Sequence, residues 1–223
     1  IIPIIALYFN NMDFRTLIKD YANAPITRHL ILDVLKDYSR PNDKISELIK
    51  AEQLISVKKG LYITGPKIDL PQPESFLIAN HLRGPSYVSV ESALSYWGLI
   101  PERTYEISSA TVKTSKKYTS PVGRYSYKQL PLPYYAFGIE RVELVPHQFA
   151  LIASPEKAIC DKIILTPNIN LRSIVQTKVF LIEDLRMDEA ALQKLDLEKI
   201  DSWLVDAPKR SSLKLLVNTL KEL

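Results

Sequence analysis

Between Phe14 and Ile49 apolar residues return every three or four positions, and from Leu54 onward that recurrence gives way to short β-branched and aromatic runs. The change of period dictates helices first and strands second. Met12 to Ala22 places Phe14, Leu17, Ile18 and Tyr21 on one helical face. Thr27 stands before Leu30, Ile31, Val34, Leu35 and Tyr38, where its hydroxyl suits an N-cap. Pro41 opens a third helix at a position where its missing N–H costs nothing, with Ile45, Leu48 and Ile49 inward. Leu54-Ile55-Ser56-Val57 and Leu61-Tyr62-Ile63-Thr64 then read as two strands joined at Lys58-Lys59-Gly60, a hairpin with a basic tip.

Three helices followed by a hairpin is the order of a winged helix-turn-helix, whose third helix enters the major groove while the wing touches the backbone or minor groove. The outward face of the third helix is Asp43, Lys44, Glu47 and Lys50, so two cations that suit phosphates are opposed by two acids. Thr27 and Arg28 at the start of the second helix, with Lys44, Lys50, Lys58 and Lys59, make up the expected DNA-contacting set. Charge alone does not decide it: residues 1–66 hold nine Lys/Arg and seven Asp/Glu, a net of +2. The competing reading is a three-helix interaction module with a solvated charged face; the basic-tipped hairpin favours DNA.

The proline-rich stretch 66–75 lacks periodicity and reads as a linker. It divides the chain into a DNA-binding unit (12–65), a mixed α/β domain (76–167) and a helical region (168–223) broken near Ala207-Pro208, an α+β protein. In the mixed part a helix over 74–82 precedes a strand over 87–90 and a short helix over 91–97 that Gly98 ends. Strands are expected over 104–114, 124–130, 135–137, 141–145 and 149–152. The run 111–128 carries Lys113, Lys116, Lys117, Arg124 and Lys128 and no acid, a charge of +5, with Tyr118, Tyr125 and Tyr127 between them. It reads either as a basic aromatic face for DNA backbone or RNA, or as a solvated hairpin whose tyrosines pack on the sheet.

Several chemistries are disfavoured. With 46% apolar and 24% charged residues the chain has ordinary globular composition, and its charge of +4 is compatible with nucleic acid without demanding it. The single cysteine, Cys160, forms no internal disulfide and reads as a small buried hydrophobe in a reducing compartment. His29, His81 and His147 lack metal-ligand spacing, so no metal or cofactor is expected. Ser154-x-x-Lys157 has no Ser-Asp-Asn or Lys-Thr-Gly partner, and in Gly60-x4-Gly65-Pro66-Lys67 a proline displaces the P-loop lysine. No Asp/Glu-x-Lys triplet of the nuclease type occurs; catalysis is not expected. The apolar start, Ile1 to Phe9, is too short to span a bilayer. Met12 reads as the true start and the protein as cytoplasmic, with no membrane partner.

Two further segments carry a resemblance. Gly84-Pro85-Ser86-Tyr87-Val88-Ser89-Val90-Glu91-Ser92-Ala93-Leu94-Ser95-Tyr96-Trp97-Gly98-Leu99-Ile100-Pro101 resembles the hallmark segment of the AbiEi (abortive infection) antitoxin family. Ser154-Pro155-Glu156-Lys157-Ala158 with Asp161, and Lys59-Gly60-Leu61-Tyr62 at the wing, are similar to that family as well; together they span most of 26–165. The resemblance implies a bacterial toxin–antitoxin pair. The N-terminal winged helix would bind inverted repeats in the operon's own promoter DNA, and the second domain would neutralise a nucleotidyltransferase-like toxin encoded beside it. Physically, both motifs look like strand-to-helix junctions: Ser89 and Ser154 as caps, Glu91 and Glu156 in first turns, Pro155 at the first helical position. Architecture is therefore their first expected role, ahead of direct partner contact. A stand-alone regulator whose second domain senses a ligand or protein, and a module that binds the toxin without DNA, are the competing functions.

Overall fold

The computed structural model describes residues 13–223, and the expectation for the apolar leader and Met12 lies outside them. The protein is α+β, as its two periodicities demand. Helices α1 (Phe14–Ile18), α2 (Arg28–Val34) and α3 (Pro41–Lys50) pack with a three-stranded antiparallel sheet of β1 (Ile26–Thr27), β2 (Leu54–Lys58) and β3 (Leu61–Thr64), in the order β1-β3-β2. Thr27 caps α2 through its hydroxyl, which accepts from the Leu30 amide, and Pro41 opens α3. Asp13 caps α1, which passes into a 3-10 turn at Lys19–Tyr21, so the first helix is shorter than its apolar spacing suggests. The second ends at Val34, four residues before Tyr38.

The hairpin β2–β3 is buried on both faces. Leu54 and Tyr62 join Phe14, Ile18, Ile31, Leu35 and Leu48 in a small core. Val57, Leu61 and Ile63 join a larger core with Ile78, Ala79 and Leu82 of α4 (Ser75–Leu82). Successive strand residues point to opposite faces, so one hairpin seals two cores, and each fully buried aliphatic adds roughly 1.5–3 kcal/mol. The stretch 66–75 is held against both. Ile68 sits in the small core, Arg15 donates to the carbonyls of Ile68 and Asp69 at 3.0 Å each, and the Glu74 amide donates to Gln148 Oε1 at 2.6 Å.

The larger core is built on a six-stranded mixed sheet in the order β6-β7-β5-β4-β9-β8. Its strands are β4 (Ser86–Val88), β5 (Glu106–Thr111), β6 (Lys116–Ser120), β7 (Gly123–Gln129), β8 (Ile139–Val145) and β9 (Gln148–Ala153). Strand β6 escapes the hydrophobic pattern because it is an edge strand bearing two lysines, a common protection against edge pairing. The strand expected at 135–137 is instead a 3-10 turn, Tyr134–Ala136, started by Pro133 in a helical conformation. One face of the sheet carries α4, with Tyr127 Oη donating to the Ala79 carbonyl at 2.6 Å. The other carries α5 (Val90–Tyr96) and α6 (Pro155–Leu165). The helices α7 (Ile174–Lys178, continuing as a π-helical turn over Val179–Asp184), α8 (Glu189–Leu192), α9 (Leu197–Trp203) and α10 (Arg210–Leu220) complete that side. Phe180, Leu181, Ile200, Leu213 and Leu216 bury into the same core as Tyr87 and Ile159, so the helical region and the mixed domain fold as one body.

Candidate nucleic-acid interface

The two basic stretches that the sequence separates by more than fifty residues meet in space, because β2 lies against β6. At the junction α4 ends, and its unpaired terminal carbonyls attract cations. Lys58 Nζ donates to the Leu82 carbonyl and Lys113 Nζ to the Gly84 carbonyl. Arg83 donates to the Thr114 carbonyl at 2.6 Å and, through Nη1, to Tyr118 Oη at 3.3 Å. The Lys116 ammonium stands 5.0 Å from the Tyr118 ring centroid. Burial would raise the Tyr118 phenol, but the Arg83 hydrogen bond and the charges of Lys116, Arg83 and Lys58 hold it below its ordinary value. Cations from three segments thus surround one end of α4 and its neighbouring phenol.

The expected DNA-contacting residues divide accordingly. Lys59, at the hairpin tip, and Lys50, at the end of α3, are exposed. Lys58 is half-buried; a bulge between Ser56 and Lys58 breaks the strand register, and its ammonium is tied to α4 instead of projecting from the tip. Arg28 donates to Asn42 Oδ1 at 2.9 Å, fixing the start of α3 against the start of α2, and its amide donates to the Gly60 carbonyl. Lys44 pairs with Glu47 at 2.7 Å and lies over the Tyr38 ring, while Asp43 pairs with Arg40 at 3.8 Å. Both acids on the outer face of α3 are thus matched by cations of the same module. The Thr27 hydroxyl is spent on its cap.

In the second basic stretch Lys113 and Lys116 belong to this junction, whereas Lys117, Arg124 and Lys128 do not. Lys117 pairs opposite Ser126, and Ser126 lies beside Ser108, which puts all three on the sheet face away from α4. There Lys117 and Lys128 line an open groove of about 950 Å³ with Tyr105 at its rim. Arg124 is exposed beside Glu106 on β5. Arg83 and Tyr105 were not legible as site residues: Arg83 reads as a helix-end residue before Gly-Pro, and Tyr105 stands alone between strands.

The motif residues lie elsewhere, in the interior. Lys157 and Asp161 are both 0% exposed, one helical turn apart on α6, with Nζ 3.2 Å from Oδ1 in an ionic contact that lacks hydrogen-bond alignment. Asp161 Oδ2 accepts from Tyr87 Oη at 2.9 Å and from Ser89 Oγ at 2.7 Å. Lys157 Nζ donates to the Tyr134 carbonyl at 2.9 Å and sits 3.2 Å from that ring's centroid. Burial lowers the Lys157 pKa against the pull of Asp161 and raises the Tyr87 and Tyr134 phenols. Ser154 caps α6 as its sequence implies, accepting from the Lys157 amide at 3.2 Å, with Pro155 at the first position. Ser89 does not cap α5. Its hydroxyl serves Asp161, and Ser108 Oγ accepts from the Ser92 amide in its place. Val90 between them holds φ +54°, a conformation a β-branched residue rarely takes. Cys160 is fully buried, and burial pushes its thiol up. Among the described residues no cluster of three or more His, Cys, Asp or Glu is placed to hold a metal, and no helix is long and apolar enough to cross a membrane.

No protein-family model matches the chain. No curated protein matches it significantly. Among solved structures it is similar to the RV2827C protein from Mycobacterium tuberculosis, with a TM-score of 0.59 at 13% identity over 92% of this chain and 76% of that one. At that identity the likeness concerns the fold.

Proposed function

We propose that this protein is an antitoxin that represses its own operon by binding promoter DNA and neutralises a nucleotidyltransferase-like toxin encoded beside it. The observation that carries the DNA reading is the junction at Tyr118, where the N-terminal hairpin and the hairpin of β6–β7 pool their cations. The three helices and the hairpin of residues 14–64 serve as a winged helix-turn-helix, with Lys50 on α3 and Lys59 at the wing tip on phosphates. Lys116 continues the same surface into the second domain. The antitoxin role draws on the resemblance of the 84–101 and 154–161 segments to the AbiEi family. Since the side chains of Tyr87, Ser89, Lys157 and Asp161 are buried, neutralisation works through the surface that this framework supports.

A gel shift with the upstream promoter region at low salt tests the DNA claim: a shift is expected, and none with excess DNA contradicts it. Co-expression with the adjacent reading frame tests the antitoxin claim, and failure to relieve toxicity refutes it. A second reading, a stand-alone regulator whose second domain senses a ligand, draws on the groove of about 950 Å³. It predicts the shift without the rescue.

A further inference from the structure

The groove lies where the helical cover of the sheet stops. On this face α5 packs over β5, marked by the Ser92 amide on Ser108 Oγ, and the end of α6 supplies a wall through Leu165 and Pro167. Beyond them β7 and β6 are bare. The floor is a row of short side chains, Ser108 and Ser126, beside Lys117 and Lys128. Small residues at the centre, with Lys117 and Lys128 beside them, make a concave trough in which both lining acids, Glu91 and Glu106, already face a cation. The one acid deep in it is already answered: burial opposes its charge, yet the hydrogen bond and charge of Lys162, with Lys128 behind, hold Glu91 below the usual carboxylate range. Glu106 is shared with Lys117 at 3.7 Å. At the rim Tyr105 is 97% exposed, a whole aromatic ring offered to solvent.

We propose that this groove binds a nucleoside phosphate, with the base stacked on Tyr105 and the phosphates on Lys117 and Lys128 beside Ser126. Cations beside a free aromatic face are how sequence-tolerant single-strand sites hold their ligands. About 950 Å³ is room for at least one nucleotide. An acidic peptide would use the lysines but has no use for Tyr105. The chemistry is shared by a free nucleotide and by one unit of a single strand. The proposal does not rest on duplex binding: Tyr118 packs its ring on Tyr127 and under the Lys116 ammonium on the opposite face of the sheet, and Lys116 and Tyr127 only border the groove.

Fluorescence anisotropy of the full chain with a labelled eight-nucleotide single-stranded RNA, in low salt, tests it, with ATP and polyglutamate as competitors. Tyr105→Ala is expected to weaken binding about tenfold, the scale of one lost stack, with Tyr105→Phe close to the unaltered protein. Lys117→Gln with Lys128→Gln is expected to lower the salt slope by about 1.4, at ~0.7 per phosphate on a single strand. Lys214→Gln, exposed on α10 and outside both basic surfaces, leaves it unchanged. Displacement by ATP at its own low concentration identifies a free nucleotide; displacement only by strand identifies a single-stranded segment. The proposal is overturned if neither RNA nor ATP binds. It is also overturned if Tyr105→Ala, which touches no packed group, binds as tightly as the unaltered chain, or if polyglutamate displaces the strand and binds independently of Tyr105.

Discussion

Lysine occupies two opposite settings in this protein. Lys157 is wholly enclosed, ringed by Asp161, the Tyr134 carbonyl and two aromatic rings. Lys59, at the tip of the first hairpin, and Lys116, over the Tyr118 ring on β6, stand in solvent. The first lies in one of the motif segments, 154–161; of the second, Lys59 opens the short wing motif and Lys116 stands in a stretch with no motif. The contrast teaches that a distinctive pattern in this chain marks a demanding piece of folding. The Tyr87-Val88-Ser89 strand and the Ser154-Pro155-Glu156-Lys157 helix start are joined by one buried carboxylate. Surfaces that meet a partner need only charge and exposure, which leave a looser imprint on sequence.

Substitutions should separate the two settings, and the largest effect belongs to the buried one. Asp161→Ala leaves the buried Lys157 ammonium without its counter-charge and Tyr87 Oη and Ser89 Oγ without their acceptor, and is expected to cost about 3–5 kcal/mol in denaturant unfolding. Lys157→Met with Asp161→Leu together should cost less than Asp161→Ala alone. If Asp161→Ala is as stable as the unaltered protein, the pair is not the joint described. Next comes Gly138→Ala: an added Cβ would lie 2.7 Å from Trp203 Cη2 and 2.8 Å from Lys157 Cβ, at φ +58°. A loss of about 1–3 kcal/mol is expected, from overpacking together with backbone strain.

Alkaline pH gives an intermediate effect with a definite sign. Tyr87, Tyr127 and Tyr134 are raised by burial, and Tyr125 is raised to about 12. A phenol raised in the folded state keeps its proton when the unfolded chain has lost it. Its contribution is complete below the unfolded value of about 10 and declines as pH rises toward the folded one. Lys157, Lys209 and Tyr118, whose pKa values are lowered, act in the opposite sense, but Tyr135 and Cys160 are raised by burial as well and add to the four. Stability should therefore fall above pH 10, and the phenolate absorbance of these tyrosines should appear together with unfolding. Phenolate absorbance that reaches the full value of all twelve tyrosines while the circular dichroism stays native would contradict their burial. The smallest effect is local: Lys116→Gln should move the Tyr118 phenol back toward its ordinary value without changing the melting temperature. An unmoved Tyr118 would mean the cations do not converge on it.

Much of the fold was legible. Thr27, Pro41, Ser154 and Pro155 act at helix starts as their chemistry demands, and the strands of the first hairpin follow from their apolar runs. What failed to show was long-range. Nothing in Lys58-Lys59-Gly60 says that a bulge will turn one lysine inward to the Leu82 carbonyl. Ser89 looks like a cap in isolation; only the approach of Asp161 from another helix recruits it elsewhere. Strand β6 hides because an edge strand with lysines has the composition of a loop. Of the candidate site, the cations other than Arg83 were named from sequence. Their sorting into a junction at Tyr118 and a separate groove was not, since it depends on which sheet face each residue takes.

The central claim is that Lys59 and Lys116, from separate hairpins, lie on one duplex-binding surface. Its most direct test is the salt dependence of binding to the promoter region, for the unaltered protein, Lys59→Gln, Lys116→Gln and the double variant. Each single change should reduce the slope of log K against log salt by about 0.9, and the double by about 1.8, with unfolding midpoints unchanged. A slope unaltered by Lys116→Gln, while Lys59→Gln lowers it, would confine the DNA to the N-terminal module and contradict the shared surface.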